Sequence, residues 1–411
     1  MSDSGDPGPR GHPRSWGFAA LLASLAMLGP FAVDMYLPAF PAIGAEFGAS
    51  QISLQQTLSV YMFAYAFMML WHGALSDALG RRPIVLAGLA VFALGTLGCA
   101  IAGNIQSLWL FRVLQGLSAG TGLVVGRAII RDRFAGAEAQ RMMSQMTLVF
   151  GLGPMLAPIV GGALLNLLGW RSIFWSMLVW TAAMLALSAR VLPETLPVAH
   201  RHPLRPGALW RNYRAVLGQP KFALLALVPS FNFCAFFIYI AAAPAFLVGL
   251  LGVSTWGFAW LFVPMITGIM IGAYLSGRLA GRMSPKRTIR TGYVLLAVAV
   301  ASNLAVSNFL PPLVAWNVLP ILIYTVGSGL IMPSATLLLL DLFPTMRGMT
   351  SSLQGFVQFA LGGVIAGTIA PLLARSLPSL AWGMAVFTAA SFALWLVYQR
   401  RARATLKEWS P

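Results

Sequence analysis

Charged residues are scarce in this chain. Only 9% of its 411 residues are charged and 58% are hydrophobic, whereas soluble domains have about 25% charged and roughly 45–50% apolar residues. This deficit argues against a soluble fold, whose surface needs many charged side chains. Acidic residues are the scarcest, because 10 Asp and Glu stand against 27 Lys and Arg and leave a net charge of +17.

Cysteine and histidine are also nearly absent. The two cysteines, Cys99 and Cys234, lie in apolar stretches and imply no disulfide framework. The four histidines lie in tails, loops or at the end of an apolar run: His12, His72, His200 and His202. A membrane-embedded enzyme would need a nucleophile–base pair or a metal cluster between its helices. No such cluster lies within an apolar run, so we expect neither an enzyme nor a cofactor.

Long apolar runs are what the sequence has instead. A helix of about 20 apolar residues crosses the hydrocarbon core of a bilayer. Twelve such runs lie near residues 16–41, 52–75, 83–103, 107–130, 142–166, 171–192, 222–248, 256–279, 289–308, 313–340, 349–374 and 380–399. They predict an all-α integral membrane protein with twelve transmembrane helices.

The basic residues are distributed unevenly between the two sides of the predicted membrane. With the N-terminus inside, all of them except Arg112, Arg171 and Arg375 fall in cytoplasmic tails, loops and the adjoining helix ends. This pattern follows the positive-inside rule and predicts that both termini are cytoplasmic. The basicity is therefore an orientation signal. The expected partner is the lipid bilayer, with no nucleic acid, and the chain is expected to act as a monomer.

A polar stretch divides the twelve runs six and six. The expected domains are a disordered tail over 1–15, a six-helix bundle over 16–192, a basic linker over 193–221, a second bundle over 222–399 and a tail over 400–411. A short amphipathic helix is predicted within the linker, near Leu209–Leu217.

Loops of the two halves repeat weakly. Gly73–Arg82 follows the second run and Gly277–Arg287 follows the eighth, with glycines and arginines in similar places. Arg131–Phe134 after the fourth run likewise corresponds to Leu340–Phe343 after the tenth. Duplicated bundles of this kind hold a substrate between them, near the middle of the membrane.

Asp34 is the most costly residue of the first run. A carboxylate in the bilayer costs roughly 2.5–3.5 kcal/mol on insertion scales, and its neighbours in the run are apolar. The other acidic residues map to tails, loops, caps or span ends: Asp3, Asp6, Glu46, Asp77, Asp132, Glu138, Glu194, Asp341 and Glu408. Asp34 therefore predicts a site that carries an ion, a proton or a substrate. A buried carboxylate in a structural hydrogen bond is the alternative.

Arg112 lies in the fourth run at a depth similar to that of Asp34, because the two runs cross the membrane in opposite directions. A guanidinium there needs an acceptor, and the candidates are Asp34, Gln115 and unwound backbone carbonyls. Our hypothesis is that Asp34 exchanges a proton for substrate while Arg112 modulates its proton affinity. The alternative is that Arg112 is only a structural clamp.

Several motifs resemble those of the major facilitator superfamily. Gly73–Arg82 looks like its loop signature between spans two and three, Leu108–Gly116 like its fourth-span motif, and Ala157–Gly162 like its fifth-span antiporter motif. Asp34–Pro38, with Gly169–Phe174, resembles the Bcr/CflA (bicyclomycin/chloramphenicol-resistance) subfamily of drug:proton antiporters. The resemblance covers roughly residues 16–400. It implies two pseudo-symmetric six-helix bundles and the proton as coupling ion.

The loop signature implies a gate on the cytoplasmic side. Its candidate residues are Gly73, Asp77, Gly80, Arg81 and Arg82. Asp77 can pair with a basic group or with a helix N-terminus of the other half, and the resemblance suggests that this latches the outward-facing state. Ala78 stands where a basic residue is common, so we expect a weaker latch. A mere topology anchor is the alternative.

The fifth run concentrates small and helix-bending residues. The motif residues are Gly153, Pro154, Ala157, Pro158, Gly161 and Gly162. Small residues allow close helix approach and prolines remove backbone hydrogen bonds, which suits a helix that rocks without leaking protons. Ala157 stands where the family usually has glycine. Simple packing is the alternative.

The substrate pocket is expected to be mostly apolar with a few polar groups. Its candidates are Met35, Tyr36, Tyr61, Tyr65, Gln115, Met146, Phe150, Asn232, Phe236 and Tyr239. Such a lining favours a small lipophilic drug, whereas a sugar site would need more amide and carboxylate side chains. We therefore expect a proton-coupled drug exporter of the bacterial inner membrane. The alternative is a metabolite or sugar transporter with the same fold, and a channel or scramblase fits less well.

Overall fold

A computed structural model describes residues 13–407 except 202 and 345, and no strand occurs among them. The helices before and within the linker are α1 (Pro13–Asp34), α2 (Phe40–Phe47), α3 (Gln51–Leu79), α4 (Arg81–Ala100), α5 (Ile105–Ala119), α6 (Thr121–Arg133), α7 (Gly136–Leu168), α8 (Arg171–Val191) and α9 (Pro206–Leu217). The helices after it are α10 (Pro220–Ala241), α11 (Ala259–Leu279), α12 (Pro285–Phe309), α13 (Val314–Asp341), α14 (Arg347–Val364), α15 (Ala370–Leu373) and α16 (Leu377–Lys407).

Twelve segments of the described chain are long and apolar enough to cross a membrane. Six precede α9: Gly17–Phe47, Gln51–Leu79, Arg81–Ala100, Ile105–Arg133, Glu138–Leu168 and Arg171–Val191. Six follow it: Pro220–Ala241, Thr255–Leu279, Pro285–Phe309, Val314–Asp341, Arg347–Leu373 and Leu377–Arg401. We number them spans 1 to 12. The prediction of twelve helices is confirmed.

The predicted tails differ from the structure where it describes them. Residues 1–12 of the expected disordered tail lie outside the described part of the chain, but residues 13–15 already belong to α1. Residues 400–407 continue α16, and residues 408–411 lie outside the described part.

Because successive spans alternate in direction, the loops collect at two ends of the bundle. We call the end that holds the turn at Gly80, the loop Phe134–Ala135 and helix α9 the basic face. The other end, with Gly48 and Gly169, is the opposite face. Both glycines have positive φ, as does Gly80 with φ 104°, because these turns need a conformation that other residues rarely adopt.

The two halves meet along two pairs of helices. In one pair α3 packs along α14, and in the other α7 packs along α11. The first contact includes hydrogen bonds to backbone carbonyls: Ser59 donates to Gly363 at 2.8 Å and Gln56 donates to Gly367 at 2.8 Å. Hydrogen bonds of this kind hold two membrane helices together without placing a charged side chain between them.

The linker forms an amphipathic helix on the basic face. Helix α9 contains the predicted segment Leu209–Leu217 and begins slightly earlier. Val216 is fully buried while Trp210 is exposed, and the Tyr213 hydroxyl donates to the carbonyl of Leu70 at 2.8 Å. This bond attaches the linker to the second span.

Span 1 is broken in the middle of the bundle. Helix α1 ends at Asp34, a turn follows at Met35 and Tyr36, and a 3₁₀ segment over Leu37–Ala39 leads into α2. Pro38 explains the position of the break, because proline has no N–H for a helical bond and disfavours helical geometry in the residue before it. The span continues to Phe47, beyond the predicted end at residue 41, so Asp34 lies deeper than expected.

Helix α7 packs tightly against this break. A Cβ atom added to Gly161 would lie 2.2 Å from the carbonyl oxygen of Met35, well inside van der Waals contact. Gly161 therefore allows the antiporter motif to lie against the backbone that directly follows Asp34. On the other side of α7, a Cβ on Gly162 would lie 2.8 Å from the carbonyl oxygen of Thr255 in the other half.

Gly161→Ala should destabilise the protein, because its methyl group would collide with backbone that cannot rotate away. We expect the free energy of unfolding to fall by about 1–3 kcal/mol, seen as a lower melting temperature of the purified protein in detergent. Gly151→Ala on the same helix is the matched control, since nothing lies within 4 Å of its added Cβ. Equal melting temperatures for the two variants would contradict the close packing.

Candidate functional site

Arg112 is the centre of the candidate site. Its side chain is fully buried, and the break in span 1 supplies its main acceptor: Nη1 donates to the carbonyl of Ala32 at 2.8 Å. The same nitrogen donates to Oε1 of Gln115 at 2.9 Å. Carbonyls in the last turn of a helix have no helical partner, so the end of α1 offers an acceptor at this depth.

Two tyrosine rings enclose the guanidinium. Cζ of Arg112 lies 4.3 Å from the ring centroid of Tyr61 and 4.8 Å from that of Tyr36. Both distances suit attraction between a cation and the faces of aromatic rings. The hydroxyls are held as well, since Tyr61 donates to the carbonyl of Gly29 at 2.9 Å and Tyr36 bonds Thr57 at 2.9 Å. The rings therefore join spans 1, 2 and 4 around one charge.

Gln115 is oriented by the third span. Its Nε2 donates to the hydroxyl of Thr96 at 2.8 Å, which leaves Oε1 to accept from Arg112. A Cβ on Gly95 would lie 2.8 Å from the backbone nitrogen of Gln115, so close approach of α4 permits this contact. Thr96 was not among the residues predicted for the site.

Asp34 forms no side-chain hydrogen bond or ion pair with any residue that the structure describes. It is only 5% exposed, yet among the described residues no nitrogen of Arg112 or of any other cation lies within the 4.0 Å of an ion pair. Of the acceptors expected for Arg112, Gln115 and a backbone carbonyl are used and Asp34 is not. Nη2 of Arg112 also lacks a hydrogen-bond partner.

The loop signature forms a charge cluster on the basic face. Arg81 pairs with Asp77, and its Nε donates to Oδ2 of Asp132 at 2.8 Å. Its backbone N–H donates to Oε1 of Glu194 at 3.0 Å. Asp77 thus pairs with the basic group of its own loop, and among the described residues it forms no ion pair with the other half. The cluster connects spans 2, 3 and 4 with the start of the linker.

Several members of this cluster were not singled out from the sequence. Asp132 and Glu194 looked like ordinary loop acids, and only folding brings them to Arg81. Gly80 is required by the same contact, because an added Cβ would lie 2.4 Å from Oε2 of Glu194. Arg82 lies outside the cluster and donates to the carbonyl of Ala189 at 2.6 Å. Nothing lies within 4 Å of a Cβ added to Gly73.

A second group of charged contacts joins the loops at the opposite face of the first half. Glu46 accepts from Nε1 of Trp170 at 2.6 Å and pairs with Arg171 at 2.5 Å. Arg171 also donates to the carbonyl of Ala102 at 2.9 Å. The segment Gly169–Phe174 therefore holds the far end of span 1, and the ring of Phe174 lies 5.5 Å from that of Tyr36.

The predicted pocket residues lie in several different surroundings. Tyr36, Tyr61 and Gln115 belong to the Arg112 cluster. Met35, Met146 and Phe236 are buried, Phe150 is partly buried, and the Tyr65 ring lies 4.5 Å from that of Phe359 across the two halves. Tyr239 accepts from Asn303 at 2.6 Å. Asn232 is buried as well, and its amide lies close enough to the Tyr293 hydroxyl to interact with it.

A cleft lies between the halves at the opposite face. Its volume is about 560 Å³, and it is lined by the ends of spans 1 and 2 and by the π-helical segment Pro244–Leu250. None of the predicted pocket residues lines it. Its walls are largely apolar, but they include Gln55, which is 1% exposed and whose Oε1 has no partner.

Arg127 is a further residue that sequence reasoning passed over as a helix-end cation. It lies in α6 within span 4 and is exposed, although its neighbours along the helix, Gly126 and Ala128, are buried. Among the described residues it forms no ion pair with a carboxylate. Span 4 therefore carries two arginines: Arg112 is fully buried, and the charge of Arg127 lies close enough to Tyr65 to interact with it.

These features agree with the family to which the chain belongs. The model of the Major Facilitator Superfamily matches residues 22–367, and the chain is a member of that superfamily. It is accordingly a membrane transporter and not an enzyme, as the sequence predicted.

Relatives extend the resemblance to nearly the whole chain. It is 30% identical over 357 residues to a "Bicyclomycin resistance protein homolog" of Haemophilus influenzae, with 86% of this chain and 89% of the relative covered. It is 30% identical over 396 residues to a "Chloramphenicol resistance protein" of Pseudomonas aeruginosa, with 91% and 88% covered. These names confirm the predicted likeness to the Bcr/CflA subfamily.

A solved structure supports the fold. The crystal structure of a D-xylose–proton symporter matches with a TM-score of 0.72, covering 92% of this chain and 97% of that one, at 16% identity. At that identity the likeness concerns the fold alone. The predicted twelve-helix major facilitator fold is confirmed.

Arg112→Met should lower the stability of the purified protein, because it leaves the Ala32 carbonyl and Gln115 without their donor. A buried acceptor left unpaired costs about 1–3 kcal/mol, which thermal unfolding in detergent would detect. Arg127→Met removes the same charge from the same span without breaking an ion pair and serves as control. An Arg112→Met protein that unfolds at the wild-type temperature would exclude a central structural role for the guanidinium.

Proposed function

We propose that this transporter exports small lipophilic antimicrobials in exchange for protons. The observation that carries the proposal is the buried, unpartnered carboxylate of Asp34 beside the break in span 1. The protein would reside in the bacterial inner membrane with both termini cytoplasmic. The basic face would then be the cytoplasmic one, since it holds the linker and nearly all basic loops.

Asp34 is suited to bind the coupling proton. An ionised carboxylate without a partner is costly in an apolar site, and uptake of a proton removes that cost. No other carboxylate of the described chain lies as deep within a span. The cleft at the opposite face would admit protons from outside and release the drug there.

Arg112 acts in this proposal through the backbone that carries Asp34. Its bond to the Ala32 carbonyl lies two residues before the carboxylate, so movement of the guanidinium would shift Asp34. Nη2 has no partner in this structure and is the donor available to Asp34 or to water in another conformation. Arg112 would then act as a structural clamp in one conformation and modulate the proton affinity of Asp34 in another.

The charge cluster of Arg81 would control the basic face. In this structure Asp77 pairs with Arg81 of its own half. Closing a latch to the other half would require Asp77 to exchange Arg81 for a partner on the C-terminal half. Gly161 and Gly162 let α7 pack closely against span 1 and against the other half. This packing would allow the two halves to rock while protons are kept from leaking along α7.

A lipophilic substrate fits the described site better than a sugar does. The cleft between the halves has largely apolar walls, and its buried amide is that of Gln55. A sugar would need a donor or acceptor for each hydroxyl. The names of the relatives point the same way, whereas the symporter shares only the fold. Bicyclomycin and chloramphenicol are the first substrates to test.

Asp34→Asn should abolish proton-driven efflux, because the amide cannot take up and release a proton. The measurement is drug-induced proton movement in liposomes with an imposed pH gradient, together with drug binding to the purified protein. Asp341→Asn is the matched control, since Asp341 is exposed and pairs with Arg347 at the basic face. Gradient-driven efflux by Asp34→Asn at the wild-type rate would exclude the proposed coupling site.

Arg112→Ala should shift the pH dependence of transport, because the Ala32 carbonyl, two residues before Asp34, loses its hydrogen-bond donor. Transport would be measured at a series of external pH values in the same liposomes, with Arg375→Ala as the control, because Arg375 is exposed at the opposite face. A lower melting temperature with an unchanged pH profile would show that Arg112 is only a clamp.

A further inference from the structure

A groove outside the proposed transport path runs between spans 9 and 12. Its volume is about 400 Å³, which lies within the range of small-molecule pockets. Val294, Ala297 and Val300 of α12 form one wall, and Ala389 and Phe392 of α16 form the other. Val294 is 59% and Phe392 43% exposed, so the groove opens away from the helix bundle.

The inner surface of the groove offers no free polar group. Tyr293 and Thr388 reach it, but their hydroxyls are already engaged inside the half. Tyr293 bonds the Ser391 hydroxyl at 2.7 Å, and Thr388 donates to the carbonyl of Met384 at 2.7 Å. An occupant would therefore meet carbon atoms along the walls, as an alkyl chain requires.

Arg290 stands at the mouth of the groove on the basic face. It is exposed and forms no ion pair among the described residues. From Pro285 to Arg290 the helix rises about 7.5 Å, and from Arg290 to Val300 about 15 Å. The second distance is half of a hydrocarbon core of roughly 30 Å. The groove thus spans one leaflet and has its single cation at the headgroup end.

The surroundings of this mouth are strongly positive. Lys286 and Arg287 lie one turn before Arg290 on α12, and Arg400 continues the face of α16 that carries Phe392. Asp341 is the only carboxylate among the described residues of the C-terminal half, and Arg347 pairs with it. The excess of positive charge among the described residues therefore attracts acidic headgroups to this mouth.

We propose that this groove binds one anionic diacyl phospholipid of the leaflet at the basic face. The phosphate lies against Arg290 and its basic neighbours, and an acyl chain fills the apolar channel between α12 and α16. Basic pockets between membrane helices recognise acidic lipid headgroups in this way. The proposal is independent of the transported substrate and of proton coupling.

Native mass spectrometry of the purified protein with added phosphatidylglycerol or phosphatidylcholine tests this. Wild type should retain phosphatidylglycerol in preference to phosphatidylcholine. Arg290→Gln should weaken phosphatidylglycerol binding roughly fivefold, the effect of one basic residue near an acidic surface. Arg375→Gln is the matched control, because this arginine of the same half is also exposed but lies at the opposite face.

A second variant tests the channel itself. Ala297→Phe should reduce binding of both lipids, because the ring occupies the space of the acyl chain. Equal retention of the two lipids by wild type, or wild-type binding by Arg290→Gln, would overturn the proposal. A wild-type dimer that dissociates in the Ala297→Phe variant would overturn it as well, because a second copy of the chain would then cover the groove.

Discussion

The enclosure of one guanidinium organises the first half of this transporter. Arg112 has no access to water, so its donors must find acceptors within the protein. Nη1 has two acceptors: the Ala32 carbonyl, which has no helical partner at the broken helix, and Gln115, which Thr96 holds in place. The break, the two tyrosine rings and the close approach of α4 to α5 all meet this requirement. Asp34 owes its position to the same arrangement, because α1 ends at that residue.

Charge is arranged in layers through the molecule. The Arg81 cluster ties the loops of the basic face, Arg112 and Asp34 lie within the bundle, and Glu46 with Arg171 closes the opposite face. The outer layers are paired and partly exposed, so they contribute modestly to stability. The middle layer is unpaired at Asp34. A protein that kept this carboxylate for stability alone would be expected to pair it, whereas a carrier needs it free to bind and release a proton.

Much of the architecture followed from pattern alone. The twelve spans, the six-plus-six division and the linker helix near Leu209–Leu217 match the structure because long apolar helices are set by local composition and bilayer thickness. The site was predicted less well. A direct contact between Asp34 and Arg112 was one of the options, but a backbone carbonyl takes that place. Carbonyls are present at every residue and carry no signal in the sequence. The pocket candidates also separated, because which face of each helix points inward depends on how the halves dock.

The sequence by itself determined that the chain spans a membrane, which side is basic, and that Asp34 is the unusual charge. These properties depend on the cost of moving each residue into the bilayer, which is local and additive. Only the tertiary structure decided that Asp132 and Glu194 meet Arg81, that Gly161 lies against the backbone after Asp34, and that Asp34 stays unpartnered. These contacts join residues far apart in the chain, and small differences in helix packing select among many acceptors of similar chemistry.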